Sequence, residues 1–325
     1  FRSRRDADIT TAIYGRQPVL VDRRSEPAQR VWPMRYCRMF DMTNDSHLFK
    51  RRDELEAQGW YPAGANRWKK GTAEAVALYS GRMIYNYDHR SSHVTTNEES
   101  LHNAALSRNL TVTEKAQPDC YPIPQYWISE SDVPEHQRRE WAIGFRDIAR
   151  ATDMRTMIAA VVPTVAAGNT LPLLLPDSGT DRTYAEWMPL FLANLNALPF
   201  DYLVRQKTQS THLNWYIVEQ LPMIHPNQFE QVLGNTRIAD FVRGEVLRLS
   251  YTAHDLAPFA RDLGYDGVPF KWDDNDRHHR MARLDALFFH LYGLSRDDAA
   301  YILDTFPIVR EQDERAHGRY LTKAL

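Results

Sequence analysis

Arg155 to Val162, RTMIAAVV, is the stretch on which the fold turns. After Arg155-Thr156 the run is wholly apolar, too short for a core helix, and reads as a buried strand. Leu171 to Leu175 reads as a second one. From Tyr184 to Leu198 the period changes: Trp187, Leu190, Phe191, Leu195 and Leu198 recur at helical spacing. Strands followed closely by a helix mark a mixed α/β unit.

Working upstream, Val76 to Tyr79 and Met83 to Tyr87 are β-prone runs around Ser80-Gly81, which predicts a hairpin or strand pair. Residues 91–118 are polar and read as an excursion loop. Tyr121 to Ile128 fits an edge strand, given Pro122 and Pro124. A helix is expected over Pro134 to Ala151. Asp6 to Tyr14 and Leu48 to Ala57 have helical spacing, with Gly59 placed to stop the second.

Downstream the pattern is helical almost throughout. Phe200 to Gln206 continues after Pro199; Asp240 to Leu249 and Leu256 to Leu263 follow. Asp276 to Tyr292 carries Met281, Leu284, Phe288 and Leu291 on one stripe and ends at Gly293. Asp273, Asp274 and Asp276 read as caps, and Ser295 caps a further helix through Leu303. The expected architecture is α+β. It has a connector with helices over 1–75, a mixed α/β domain over 76–235 and a mainly helical domain over 236–325.

The chain has 325 residues, 43% hydrophobic, enough for a sizeable core. No run of about 18 apolar residues is present, so no membrane partner is expected. Two distant cysteines, Cys37 and Cys120, fit a reduced, cytoplasmic protein. The chain starts without Met and ends inside a helical pattern, so a fragment is expected. Net charge is −2, which argues against a basic surface over the whole chain. Cations outnumber acids over residues 1–70, and the reverse holds over 71–135, so a local basic face is compatible with that balance.

The sequence carries no catalytic motif. GxxxxGK[ST], GxGxxG, GxSxG, HExxH and CxxC are all absent. No metal site is expected: His278 and His279 are adjacent and project to different faces of a helix.

Polar constellations remain. Met39 to Phe49, MFDMTNDSHLF, reads as Asx turns with a helix cap at Asp45 or Ser46. In Leu78 to Arg90, LYSGRMIYNYDHR, the residues Arg82, Asp88, His89 and Arg90 suit either a phosphate clamp or a buried ion pair at a domain junction. Gly144 to Thr156, GFRDIARATDMRT, sets Arg146 and Arg150 four apart on the expected helix, with Arg155-Thr156 after it. That makes a cationic ledge for a duplex, or a solvated face paired with Asp147 and Asp153. Arg205 to Pro222, RQKTQSTHLNWYIVEQLP, holds two cations, two amides and three hydroxyls in its first seven residues. Gln206, Gln209 and Asn214 suit adenine, and Arg205 or Lys207 suits guanine or phosphate. Ser210, Thr211 and His212 add donors; the bland alternative is a helix cap at Ser210 or Thr211.

Taken in order, these segments, RQKTQSTHLNWYIVEQLPM and LDALFFHLYGLSRDDAAYILDTFPIVR included, resemble the C-terminal half of large adenine-specific DNA methylases. That class includes single-chain restriction–modification enzymes and the methylases of BREX and DISARM phage defence. The resemblance implies a target-recognition domain that meets double-stranded DNA through loops, followed by a helical spacer. Thr211 to Pro222 is similar to the helix–LP element closing such domains, and Asp285 to Leu294 to the spacer. The NPPY-like catalytic motif and the FxGxG-like cofactor turn are missing. The resemblance therefore implies no cofactor in this chain, with S-adenosylmethionine held by the catalytic domain of the parent methyltransferase, with or without restriction activity. The rival expectation is a scaffold docking a methylase core or defence partner.

Overall fold

A computed structural model describes residues 3–24, 26–96, 105–163, 166–177, 183–208 and 210–325. The fold is α+β. Its helices are α1 (Arg4–Arg16), α2 (Arg52–Ala57), α3 (Val112–Lys115), α4 (Tyr184–Asn196), α5 (Leu198–Lys207), α6 (Trp215–Val218), α7 (Ile238–Ser250), α8 (Ala257–Asp262), α9 (Asp274–Leu291), α10 (Arg296–Asp304), α11 (Pro307–His317) and α12 (Leu321–Ala324). Among the described residues no helix is long and apolar enough to cross a membrane.

An antiparallel four-stranded sheet lies at the centre. Its order is Ala159–Pro163, Trp141–Phe145, Leu173–Pro176, Met34–Cys37. Side chains alternate across it. Trp141, Ile143, Phe145, Ala159, Val161 and Leu174 face one layer, while Ala142, Ala160, Val162, Leu173 and Leu175 face the other. Both faces are therefore buried, which is why RTMIAAVV shows no polar alternation. The first face packs on α1, α4, α5 and the helices from α7 to α10. The second packs against Ala77 and Tyr79 of a five-stranded sheet built on Ala73–Tyr79.

Several expectations need correction; the strand expected over Tyr121 to Ile128 is confined to Trp127–Ser129. Residues 134–151 do not form a helix: a single 3-10 turn at Glu135–Gln137 leads into the Trp141–Phe145 strand. The apolar period at Trp141, Ile143 and Phe145 is two, and Gly144 lets the strand approach Leu171, whose Cδ1 would lie 2.9 Å from an added Cβ. Met83 to Tyr87 is no strand; a 3-10 turn at Gly81–Met83 takes its place, and Tyr87 has φ of 58°. Arg146 occupies the Gly81 and Ile84 carbonyls that a ladder would need. Finally, residues 91–118 are not one loop: Ser92–Thr96 pairs with Ala105–Asn109, and α3 follows.

The caps expected on the last two long patterns form, whereas Asp45 makes no side-chain cap bond at the Ser46–Leu48 turn. Asp273 and Ser295 accept from Asp276 and Asp298 backbone N–H groups to cap α9 and α10. Asp41 makes the Asx turn of MFDMTNDSHLF, accepting from Thr43 and Asn44.

Candidate nucleic-acid interface

The candidate surface is built where α5 ends. Thr208 closes that helix, its hydroxyl donating to the Val204 carbonyl. The chain then doubles back along residues 147–154. Ala149 N–H donates to Thr211 O at 3.1 Å, and Leu213 N–H donates to Asp147 O at 2.7 Å. Ile148 and His212 form an isolated antiparallel bridge. His212 Nδ1 meets Asp147 Oδ2 at 2.8 Å across 65 residues of sequence. Buried Leu213 anchors the bend, and Trp215 stacks on Tyr36 with ring centroids 5.4 Å apart.

The expected contact residues divide into two sets. Arg150, Lys207, Ser210, Thr211, His212 and Asn214 are exposed, and Gln206 is half-buried beside them. Gln209 lies outside the described residues. Ser210 Oγ donates to His212 O, and Asn214 begins α6 without a side-chain cap, so the caps suggested for Ser210 and Thr211 are not formed.

Arg146, Arg155, Thr156 and Arg205 point inward instead. Arg146 spans to the Gly81 and Ile84 carbonyls at 2.9 and 2.6 Å, and burial lowers its pKa. Arg155 Nε donates to buried Asp201 at 2.6 Å, and its Nη2 to Asn196 O. Burial opposes the Arg155 charge, but Asp201 and Asp285 outweigh it and raise the pKa. Thr156 is fully buried, donating through N–H to Asp201 and through Oγ1 to Arg150 O. Arg205 donates to the Asp153 and Met154 carbonyls and lies over the Phe306 ring at 4.1 Å. The expected helical ledge is thus a loop in which Arg150, but not Arg146, faces outward. Arg146 is spent on carbonyls and Arg155 on the Asp201 carboxylate and the Asn196 carbonyl, because a loop this deep has acceptors that water does not reach.

The Asp88–His89–Arg90 cluster lies elsewhere and inside. Arg90 is fully buried; its two terminal nitrogens donate to the Lys115, Gln117, Cys120 and Thr252 carbonyls and to Thr252 Oγ1. Burial would raise the Asp88 pKa, yet Lys115, 2.6 Å away, and Arg277 hold it below its usual value. His89 Nε2 meets Asp255 at 2.9 Å. A phosphate has no access to these groups. Arg82 alone is exposed, donating to Ala105 O.

Two exposed apolar side chains on the ledge escaped sequence reasoning: Ile148, 46% exposed, and Tyr216, 60% exposed. A signal existed in Trp215-Tyr-Ile-Val218: four apolar residues around one helical turn cannot all face the core. No protein-family model matches this chain, and no curated protein matches it.

Proposed function

We propose that this chain is the DNA-recognition and spacer part of an adenine-N6 methylase, and that duplex DNA lies along the ledge of residues 147–150, 207–208 and 210–216. The observation that carries this reading is the pairing of those two polar segments, 65 residues apart at Asp147 and His212, into one outward surface. Arg150 and Lys207 supply phosphate charge; His212, Ser210, Thr211 and Asn214 supply donors and acceptors for base edges. Tyr216 and Ile148 offer an aromatic and an aliphatic surface beside them. Alkylating adenine N6 requires a flipped base, so a neighbouring recognition surface must hold the flanking duplex. The order of motifs resembling large adenine methylases supplies the reaction class. The methyl donor, S-adenosylmethionine, and the catalytic domain belong to the parent protein in this reading.

Anisotropy titrations of labelled duplexes test it. Binding is expected to be weak and to fall between 50 and 200 mM salt. Changing Arg150 and Lys207 to Ala should weaken it and flatten the log–log salt slope by about 2, roughly one per lost phosphate contact. Absence of salt-sensitive binding to every duplex tried would defeat the reading. Unchanged binding by the double variant would move the surface elsewhere.

A second reading, a scaffold docking a methylase core, draws on Val232 and Leu233, 66% and 61% exposed beside the apolar side chains of Ile238, Phe241 and Leu287. Leu233→Lys would abolish partner capture while sparing DNA binding if that reading is right.

A further inference from the structure

The His278 side chain, set aside in the sequence because His279 faces elsewhere, has partners that lie far along the chain. Asp313 and His317 are four residues apart on α11 and project from one face of it. α9 brings His278 against them. One ligand atom from each of the three lies within 4.8 Å of the others. A tetrahedral ion with bonds of about 2.0–2.2 Å holds its ligand atoms roughly 3.4 Å apart, so modest side-chain rotation closes the set.

The surroundings suit a cation. Asp313 is only 7% exposed, and among the described residues no Lys or Arg forms an ion pair with it. Its carboxylate accepts a hydrogen bond from the Thr322 N–H at 2.6 Å, which fixes it from α12. A buried carboxylate without a counter-charge is costly, and here it faces two imidazoles. The His278 and His317 ring centroids are 5.8 Å apart, and Thr322 Oγ1 lies 3.3 Å from His278 Nε2. His278 and Asp313 also line a cavity of about 220 Å³ that reaches Arg155 and Asp285.

We propose that His278, Asp313 and His317 bind one divalent transition-metal ion of the zinc class, clasping α11 and α12 against α9. Two imidazoles and one carboxylate suit zinc or cobalt, whereas calcium and magnesium prefer all-oxygen sets. His317 is exposed, so the fourth position opens to solvent and takes water. This site is independent of the DNA ledge.

The test uses untagged, chelator-stripped chain titrated with Co²⁺ and then with competing Zn²⁺. Expected are visible bands of four-coordinate cobalt, one equivalent bound, displacement by zinc and a higher melting temperature with zinc. His317→Ala, at an exposed position, and Asp313→Asn should each weaken binding tenfold or more and cancel the thermal gain. His279→Ala should do neither. Absent or six-coordinate cobalt spectra, or equal behaviour of His279→Ala and His317→Ala, would overturn the proposal.

Discussion

Arg90 and Gly81 carry the sharpest consequences at the scale of single residues. The Arg90 guanidinium ties the 115–120 turn to Thr252 through five hydrogen bonds in a fully buried site. Lysine carries the same charge but one nitrogen, so Arg90→Lys strands several buried carbonyls. The expected cost is about 3 kcal/mol or more, read as a lowered urea midpoint; a change under about 0.5 kcal/mol would show that the network is dispensable. Gly81 sits where an added Cβ would stand 2.4 Å from the Thr170 carbonyl oxygen and 3.2 Å from Arg146 Cγ. Backbone cannot yield as a flexible side chain does, so Gly81→Ala should cost about 1–3 kcal/mol, measured in the same titration. Neither role was legible in the sequence. Arg90 looked as fit for a phosphate as for a buried ion pair, and its carbonyl partners come from segments distant in sequence. The same ambiguity holds for Arg146, Arg155 and Arg205, which turn inward, whereas Arg150, Lys207 and His212 stand exposed.

Helices were easier to read than strands. The stripe of α9 and its Asp273 cap follow from local spacing, and the structure has both. The Trp141–Phe145 strand was missed because its partners lie at 159–163 and 173–176, and pairing of that kind leaves little local trace. The strongest test of an element concerns α9, where Asp285 reaches over to α5 and accepts from the Leu198 N–H at 2.7 Å. Burial pushes its carboxyl pKa up to about 6, against the pull of Arg155 and the Leu198 hydrogen bond. A folded-state value above the unfolded one means the folded chain holds this proton more tightly. Its stabilising contribution is complete below about pH 4 and is lost as pH rises through about 6. The rise from 3.8 to about 6 corresponds to roughly 3 kcal/mol. Asp285→Asn keeps an acceptor for Leu198 without the charge. Its melting temperature relative to the parent should therefore be higher at pH 8 than at pH 5. A difference independent of pH, or one of opposite slope, would remove Asp285 from this role.

At the scale of the molecule, composition suggested a connector, a recognition domain and a helical spacer, but the packing joins them. The largest core cluster takes Ile9 and Ile13 from α1, Ile143 and Leu174 from the central sheet, and Val246, Phe288 and Phe306 from the last third. Hydrogen bonds cross the same boundaries: Tyr202 donates to Asp6, and Asn194 to the Tyr292 hydroxyl. A change of period from strands to helices marks a change of layer as readily as a change of domain. If the helices from α7 onward complete the core of the central sheet, removing residues 236–325 uncovers the face carrying Ile143, Phe145 and Val161. Burial of apolar side chains supplies about 1.5–3 kcal/mol each, and a domain's margin is only about 5–15 kcal/mol, so a 1–235 truncation should be insoluble or molten. The whole chain, by contrast, should melt in one calorimetric transition whose van't Hoff and calorimetric enthalpies agree. Two separated transitions, or a 1–235 fragment with dispersed amide resonances, would show instead that the sheet closes its core without the last third, and that the helices are an appended spacer.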